Sequence, residues 1–124
     1  MTSGELLGDL RVIENDLFRT THSTNEDDQR ALRRMLQAYV LFCPQVGYCQ
    51  GMSYLAHLII GRIQDEATSF WMFVTLMERY GLKSFYLPDL RRLKVVCYQL
   101  DVLTKRHLPE VHSHLQDLMV PTHR

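Results

Sequence analysis

Apolar residues recur at steps of three and four along almost the whole chain, and no useful length of it alternates apolar with polar. A step of three or four keeps one face of an α-helix apolar, whereas alternation would make a half-buried strand. The expected fold class is therefore all-α, with about six helices. Leu6, Leu7, Leu10, Ile13 and Leu17 form one face between Leu6 and Phe18. Leu32, Met35, Leu36, Tyr39, Val40 and Cys43 form a second. Pro44 stops that helix, because a proline lacks the N–H and its ring clashes with the preceding turn. A third helix runs from near Gln50 to Ile63 through Met52, Leu55, Ala56, Ile59 and Ile60, with few charges on any side, which predicts a central position. A fourth begins near Asp65, carries Phe70, Trp71, Phe73, Val74 and Met77, and ends at Gly81 as a left-handed cap. Leu90, Leu93, Cys97, Leu100 and Leu103 mark a fifth. Pro109, tolerated in a first turn but not in a helix interior, divides it from a sixth with Val111, Leu115 and Leu118. Thr24 with Asp27 fits a capping box at the start of the second helix, where Glu26, Asp27 and Asp28 face unpaired N–H groups.

Charge and length narrow the function classes. Lys and Arg number 14, as do Asp and Glu, so the net charge is zero and the basic surplus of a nucleic-acid binder is missing. The longest apolar runs, such as Phe70 to Val74, are far too short to span a bilayer, so direct membrane insertion is not expected. Glu5 and Asp9 stand where a secretory leader would carry a basic start and an apolar core. Three cysteines, an odd number, fit a reducing compartment, and a cytoplasmic chain is expected. A chain of 124 residues is one domain at most.

Metal chemistry fails on spacing. Cys43 and Cys49 have the wrong separation for a zinc knuckle, and His107, His112 and His114 do not share a helical face. No local signature distinguishes any cysteine from a packed thiol, so a Cys–His hydrolase is a remote alternative. The clusters Arg30, Arg33, Arg34 and Arg91, Arg92, Lys94 read as solvated helix faces. One segment stands apart: Gly47-Tyr48-Cys49-Gln50-Gly51-Met52 lies between a proline-stopped helix and a nearly uncharged one. There a glutamine bracketed by small residues is open to a ligand, although a capped turn using Gln50 locally would give the same spacing.

The stretch Val46-Gly47-Tyr48-Cys49-Gln50-Gly51-Met52 resembles the tyrosine–x–glutamine–glycine motif of TBC-domain proteins, activators of Rab-type small GTPases. Upstream, Ile13-Glu14-Asn15-Asp16-Leu17-Phe18-Arg19-Thr20 is similar to the family's isoleucine–x–x–aspartate–x–x–arginine motif with its following threonine. The two occur in order and are joined by a helix with the pattern Leu36-x-Ala38-Tyr39. Asp65-Glu66 with Phe70-Trp71, and Leu108-Pro109 with His114-Leu115, extend the likeness from about Arg11 to about Leu118. Three departures stand out: His22 replaces a usual proline, Ser53 stands where asparagine is common and implies a weaker supporting bond, and family domains continue through further helices. The resemblance thus implies a TBC-like multi-helix domain truncated in its C-terminal part.

The resemblance also implies a mechanism. Arg19 becomes an arginine finger and Gln50 a glutamine finger, both acting in trans on a Rab-family GTPase in its GTP-bound state. Asp16, Tyr48, Gly51 and Ile13 become supporting residues, Asp16 anchoring the arginine helix and Tyr48 bracing the glutamine loop. GTP and Mg²⁺ belong to the partner, so no cofactor is expected here, and the chain supplies catalytic residues to another protein's reaction. The alternative is a GTPase-binding helical scaffold without activity. Geometry adds one expectation. Because a helix of about 17 residues carries the chain roughly 25 Å, Arg19 meets Gln50 only if residues Thr20 to Asn25 run extended beside it, with few hydrogen bonds.

Overall fold

A computed structural model describes residues 2–21 and 24–119. Among the described residues there are six α-helices and no strand: α1 (Ser3–Thr20), α2 (Glu26–Phe42), α3 (Met52–Ile60), α4 (Glu66–Glu78), α5 (Arg91–His107) and α6 (Pro109–Met119). A short 3₁₀ turn, Leu82–Phe85, follows α4. The all-α expectation holds, and the helix ends show where local chemistry overrides periodicity. Thr2 accepts the Glu5 N–H at 3.2 Å while the Glu5 carboxylate accepts the Thr2 N–H at 2.6 Å, so α1 starts ahead of its first apolar residue, Leu6. The cap of α2 is Asn25 rather than Thr24: Asn25 Oδ1 accepts the Asp28 N–H at 2.7 Å. Thr24 is used elsewhere, its hydroxyl lying 2.9 Å from His57 Nε2. α3 is shorter than its apolar stripe, since Gly51 opens it and Gly61 closes it. Gly81, at φ +75°, stands beyond the α4 cap Arg79 and opens the 3₁₀ turn.

The chain divides into two compact units, Met1–Pro88 and Asp89–Arg124. In the first, α2 packs against α1, α3 and α4, and α3 packs against α1 and α4. Ile13, Leu32, Leu36, Tyr39, Met52 and Phe73 are fully buried between them. Each aliphatic or Phe side chain of this kind contributes about 1.5–3 kcal/mol by leaving water. The Tyr39 and Phe73 rings meet edge to face at 5.0 Å. Within this unit, Leu7 and Trp71 of the expected stripes are exposed instead. The Arg30, Arg33, Arg34 cluster is more than a solvated face. Arg33 forks onto Glu14 of α1 at 2.6 and 3.0 Å, and Arg34 forks onto Glu66 of α4 at 2.7 Å to each oxygen. In the second unit, α5 and α6 pack on one another as a helical hairpin, and His112 Nε2 lies 3.0 Å from Asp101 Oδ1. No described residue of either helix is buried.

The connector between α1 and α2 departs from the extended form expected of it. Thr24 N–H donates to the Thr21 carbonyl at 3.1 Å, and the Gln29 side-chain amide donates to the Thr21 and Thr24 carbonyls. The connector is therefore turned and hydrogen-bonded at its described ends; His22, with the family departure it carries, lies outside the described residues. The return path is provided by the segment before α3. Tyr48 bonds Asp9 and Gly51 bonds Asp16, so this segment advances along α1 in the same direction, and Ser53 of α3 continues it to Thr20. Gln50 sits in a turn closed by the Met52 N–H on the Cys49 carbonyl at 3.1 Å, and the Gly51 bond to Asp16 brings it toward the Arg19 end without help from the connector.

Candidate functional site

The centre of the site is one carboxyl group. Asp16 lies on the inward face of α1, three residues after Ile13, which is fully buried and fixes that face against the core. Asp16 itself is only 1% exposed, an unusual position for an aspartate and one that demands partners. It has four. Oδ1 accepts from Arg19 Nη2 at 2.5 Å, one helical turn on. Oδ2 accepts the Tyr48 hydroxyl at 2.6 Å, the Gly51 N–H at 2.8 Å and the Ser53 hydroxyl at 3.3 Å. Burial pushes the Asp16 carboxyl up, but the Gly51 amide, Tyr48 hydroxyl and Arg19 guanidinium together outweigh it and hold the group below the ordinary aspartate value. The buried group is therefore an ionised acceptor at neutral pH, and its bonds are of the stronger, charge-assisted kind.

The sequence-predicted residues gather around it. Arg19 is about half exposed, and its bond to Asp16 uses one nitrogen of a group with five N–H donors. Gln50 is exposed on the loop immediately before Gly51. Arg19 and the residue following Gln50 therefore hang from the two oxygens of one buried carboxyl. Gly51 has φ +100°, a region that side chains with a Cβ rarely enter, and this turn aims its N–H at Asp16. Tyr48 is 8% exposed, and burial and then Asp16 push its hydroxyl up, so it stays a donor. Burial also pushes the Cys49 thiol up, the reverse of what an activated nucleophile needs.

Three contributors were not singled out as site residues from sequence. Thr20 donates to the Asp16 carbonyl at 2.7 Å and lies 2.7 Å from the Ser53 hydroxyl, linking α1 to α3. Ser53 is fully buried, and its N–H donates to the Tyr48 oxygen at 3.3 Å. Its 3.3 Å bond to Asp16 is the longest of the four, in keeping with a short side chain at that position. Asp9 accepts the Tyr48 N–H at 3.2 Å. Its spacing of seven from Asp16 puts both on one face of α1, which is the signal that could have found it.

Among the described residues, no three His, Cys, Asp or Glu side chains converge as a metal site would require, and no helix is long and apolar enough to cross a membrane. The chain is similar in sequence to known proteins. The GTPase-activating protein GYP5 of Eremothecium gossypii is 35% identical over 105 residues, which is 85% of this chain and 12% of that protein. GYP5 of Saccharomyces cerevisiae is 36% identical over 104 residues, 84% of this chain and 12% of the relative. The human ecotropic viral integration site 5 protein homolog is 33% identical over 112 residues, 86% of this chain and 14% of the relative. The chain thus spans about an eighth of the length of these relatives. The sequence matches the Rab-GTPase-TBC domain over residues 4–123, and the chain belongs to that family.

Proposed function

We propose that the chain acts as a GTPase activator on a Rab-family small GTPase in its GTP-bound state, with Arg19 and Gln50 as the two groups it supplies. The observation that carries this reading is the shared anchor: Asp16 bonds both Arg19 and the backbone next to Gln50, while both side chains stay exposed. Phosphoryl transfer to water needs positioning and charge balance more than covalent chemistry. A guanidinium held at one nitrogen keeps other donors for the bridging and γ-phosphate oxygens, where negative charge accumulates as the bond to the leaving group breaks. An inserted arginine of this kind is worth about 10³ to 10⁵ in rate in Ras-type systems. The Gln50 amide accepts from the attacking water and donates to a phosphate oxygen, which aligns the nucleophile. GTP and Mg²⁺ reside on the partner, and this chain adds side chains to that site. Association with membranes then comes through the Rab, from the cytoplasmic side.

The GTPase-activating names of the relatives agree with this reading. Its test is single-turnover GTP hydrolysis by a panel of purified Rab proteins, with and without the chain, beside a binding measurement on the same proteins. Acceleration of at least one Rab is the expected result. Binding without acceleration would replace it with a GTPase-binding scaffold, and neither binding nor acceleration would reject both.

A further inference from the structure

The mechanism above uses one carboxyl of α1, yet a second faces the same loop. Asp9 lies about two turns before Asp16, so both project from one side of the helix that carries Arg19. Asp9 Oδ2 accepts the Tyr48 N–H at 3.2 Å. The preceding residue shows how closely the loop is drawn in: a Cβ on Gly47 would stand 2.6 Å from that same oxygen, and Gly47 has φ +62°. A side chain there would have to push the Asp9 carboxyl aside and would sit in the left-handed region. At the other end of the loop, Gly51 donates to Asp16 at 2.8 Å. The strip from Tyr48 to Gly51, on which Gln50 rides, is thus fastened at each end to a carboxyl of the Arg19 helix.

Without the Asp9 bond the Tyr48 end of this strip is held only through its side chain, whose hydroxyl bonds Asp16 at 2.6 Å. The Tyr48 backbone, with its N–H released, can then shift about the ring and carry Gln50 relative to Arg19, and misplacement by about 1 Å can cost on the order of 100-fold in rate. A second fastening removes that freedom. We propose that Asp9 is a positioning residue that fixes the register of the Gln50 loop against α1, so that the two exposed side chains present a constant separation to the nucleotide. The inference rests on the GTPase-activating reading. Asp9 touches no reacting atom in it and acts through the Tyr48 amide. A purely structural role would show as lost stability or weakened binding; a positioning role shows in the turnover of the bound complex.

The test compares the parent chain with Asp9→Ala and Asp9→Asn. The asparagine retains a side-chain oxygen that can accept the Tyr48 N–H, and the alanine does not. On a Rab that the parent accelerates, single-turnover hydrolysis is titrated with each variant to separate the maximal rate from the half-saturating concentration. Amide hydrogen exchange at Tyr48 is followed in the same proteins. We expect Asp9→Ala to lower the maximal rate about 10- to 100-fold and to speed exchange at Tyr48. Its half-saturating concentration should stay within about twofold, and Asp9→Asn should restore most of both effects. An Asp9→Ala variant with the full maximal rate, a loss confined to the half-saturating concentration, or an asparagine variant as impaired as the alanine would each overturn the proposal. A parent chain that accelerates no Rab would overturn the GTPase-activating reading itself and this inference with it. That outcome is distinct from an active parent with an unaffected Asp9→Ala variant.

Discussion

Tyr48 donates its hydroxyl to Asp16 Oδ2 at 2.6 Å, across 32 residues of sequence and inside a core where Asp16 has almost no contact with water. This bond joins the two motifs that the sequence presents separately. A buried carboxylate without partners would cost several kcal/mol, so the pair exists only while the loop and α1 are held together. Assembly of the site and folding of the first unit are therefore one event.

Asp16→Asn should lower stability by at least about 1–3 kcal/mol, the cost of leaving buried donors poorly matched. The neutral amide still accepts one or two bonds, but its NH₂ group faces donors, Arg19 among them. Denaturant unfolding of the parent and the variant measures the difference, and a variant as stable as the parent would show that the four bonds to this carboxyl are worth no more than their solvated equivalents.

The same carboxyl sets a pH dependence. Its folded value lies below its ordinary value of 3.8, so between the two the unfolded chain binds more protons and stability rises with pH. The contribution is complete above about pH 4 and is lost as the pH falls through the folded value. Glu66, held down chiefly by its bond with Arg34, adds in the same direction. Subtracting the unfolding curve of Asp16→Asn from that of the parent isolates the Asp16 part. A difference that is flat through the acid range would contradict the depressed value.

The helices were legible because each carries a continuous apolar stripe and most have a stop nearby. Leu32 through Cys43 with Pro44 is the plainest case. Caps were less legible, since Thr24 and Asn25 are chemically equivalent choices until His57 engages the Thr24 hydroxyl. The path of residues 43–51 was not legible at all. Periodicity reports which face of an element is apolar, and a non-periodic strip has no such face; its course is set by bonds such as Tyr48 to Asp9, made across 39 residues. Arg19 and Gln50 were found through motif likeness, because nothing in their spacing places them at one carboxyl.

Arg19→Ala and Gln50→Ala should each reduce Rab-stimulated hydrolysis by at least about tenfold while leaving affinity for the GTPase nearly unchanged, because their phosphate and water contacts mature in the transition state. Gln50 is exposed and its loss should change stability little, whereas Arg19→Ala also takes the partner from Asp16 Oδ1 and should lower stability as well. Stimulated single-turnover rates and equilibrium binding, measured on the same variants, separate the two effects. Full stimulation by either variant would remove that residue from the mechanism.

The later helices carry a different expectation. Leu100, Leu103, Leu108, Leu115 and Leu118 are between 46% and 64% exposed. Apolar side chains left this open favour association and bind apolar dyes where they adjoin. The chain should therefore enhance the fluorescence of such a dye, and Leu100→Gln with Leu118→Gln should reduce the enhancement. A parent chain that stays monomeric at high concentration and binds no dye would count against an open apolar face there.

Gly51 separates backbone geometry from space. A Cβ at this residue would meet nothing within 4 Å, so steric crowding predicts that alanine is harmless. The backbone predicts otherwise. At φ +100° an alanine sits outside the left-handed basin as well as the helical one, and the milder left-handed case alone costs roughly 1–2 kcal/mol. Relief comes by rotating φ, which turns the N–H away from Asp16 and shifts the adjacent Gln50. Gly51→Ala should consequently lose roughly 1–2 kcal/mol of stability and more stimulated activity than Gly8→Ala, a helical control whose Cβ would also meet nothing within 4 Å and whose φ is not positive. Hydrogen exchange at residue 51 reads the same event directly, since an amide released from a buried carboxylate exchanges faster. Unchanged protection together with unchanged stability would show that the positive φ is not needed to present this N–H to Asp16.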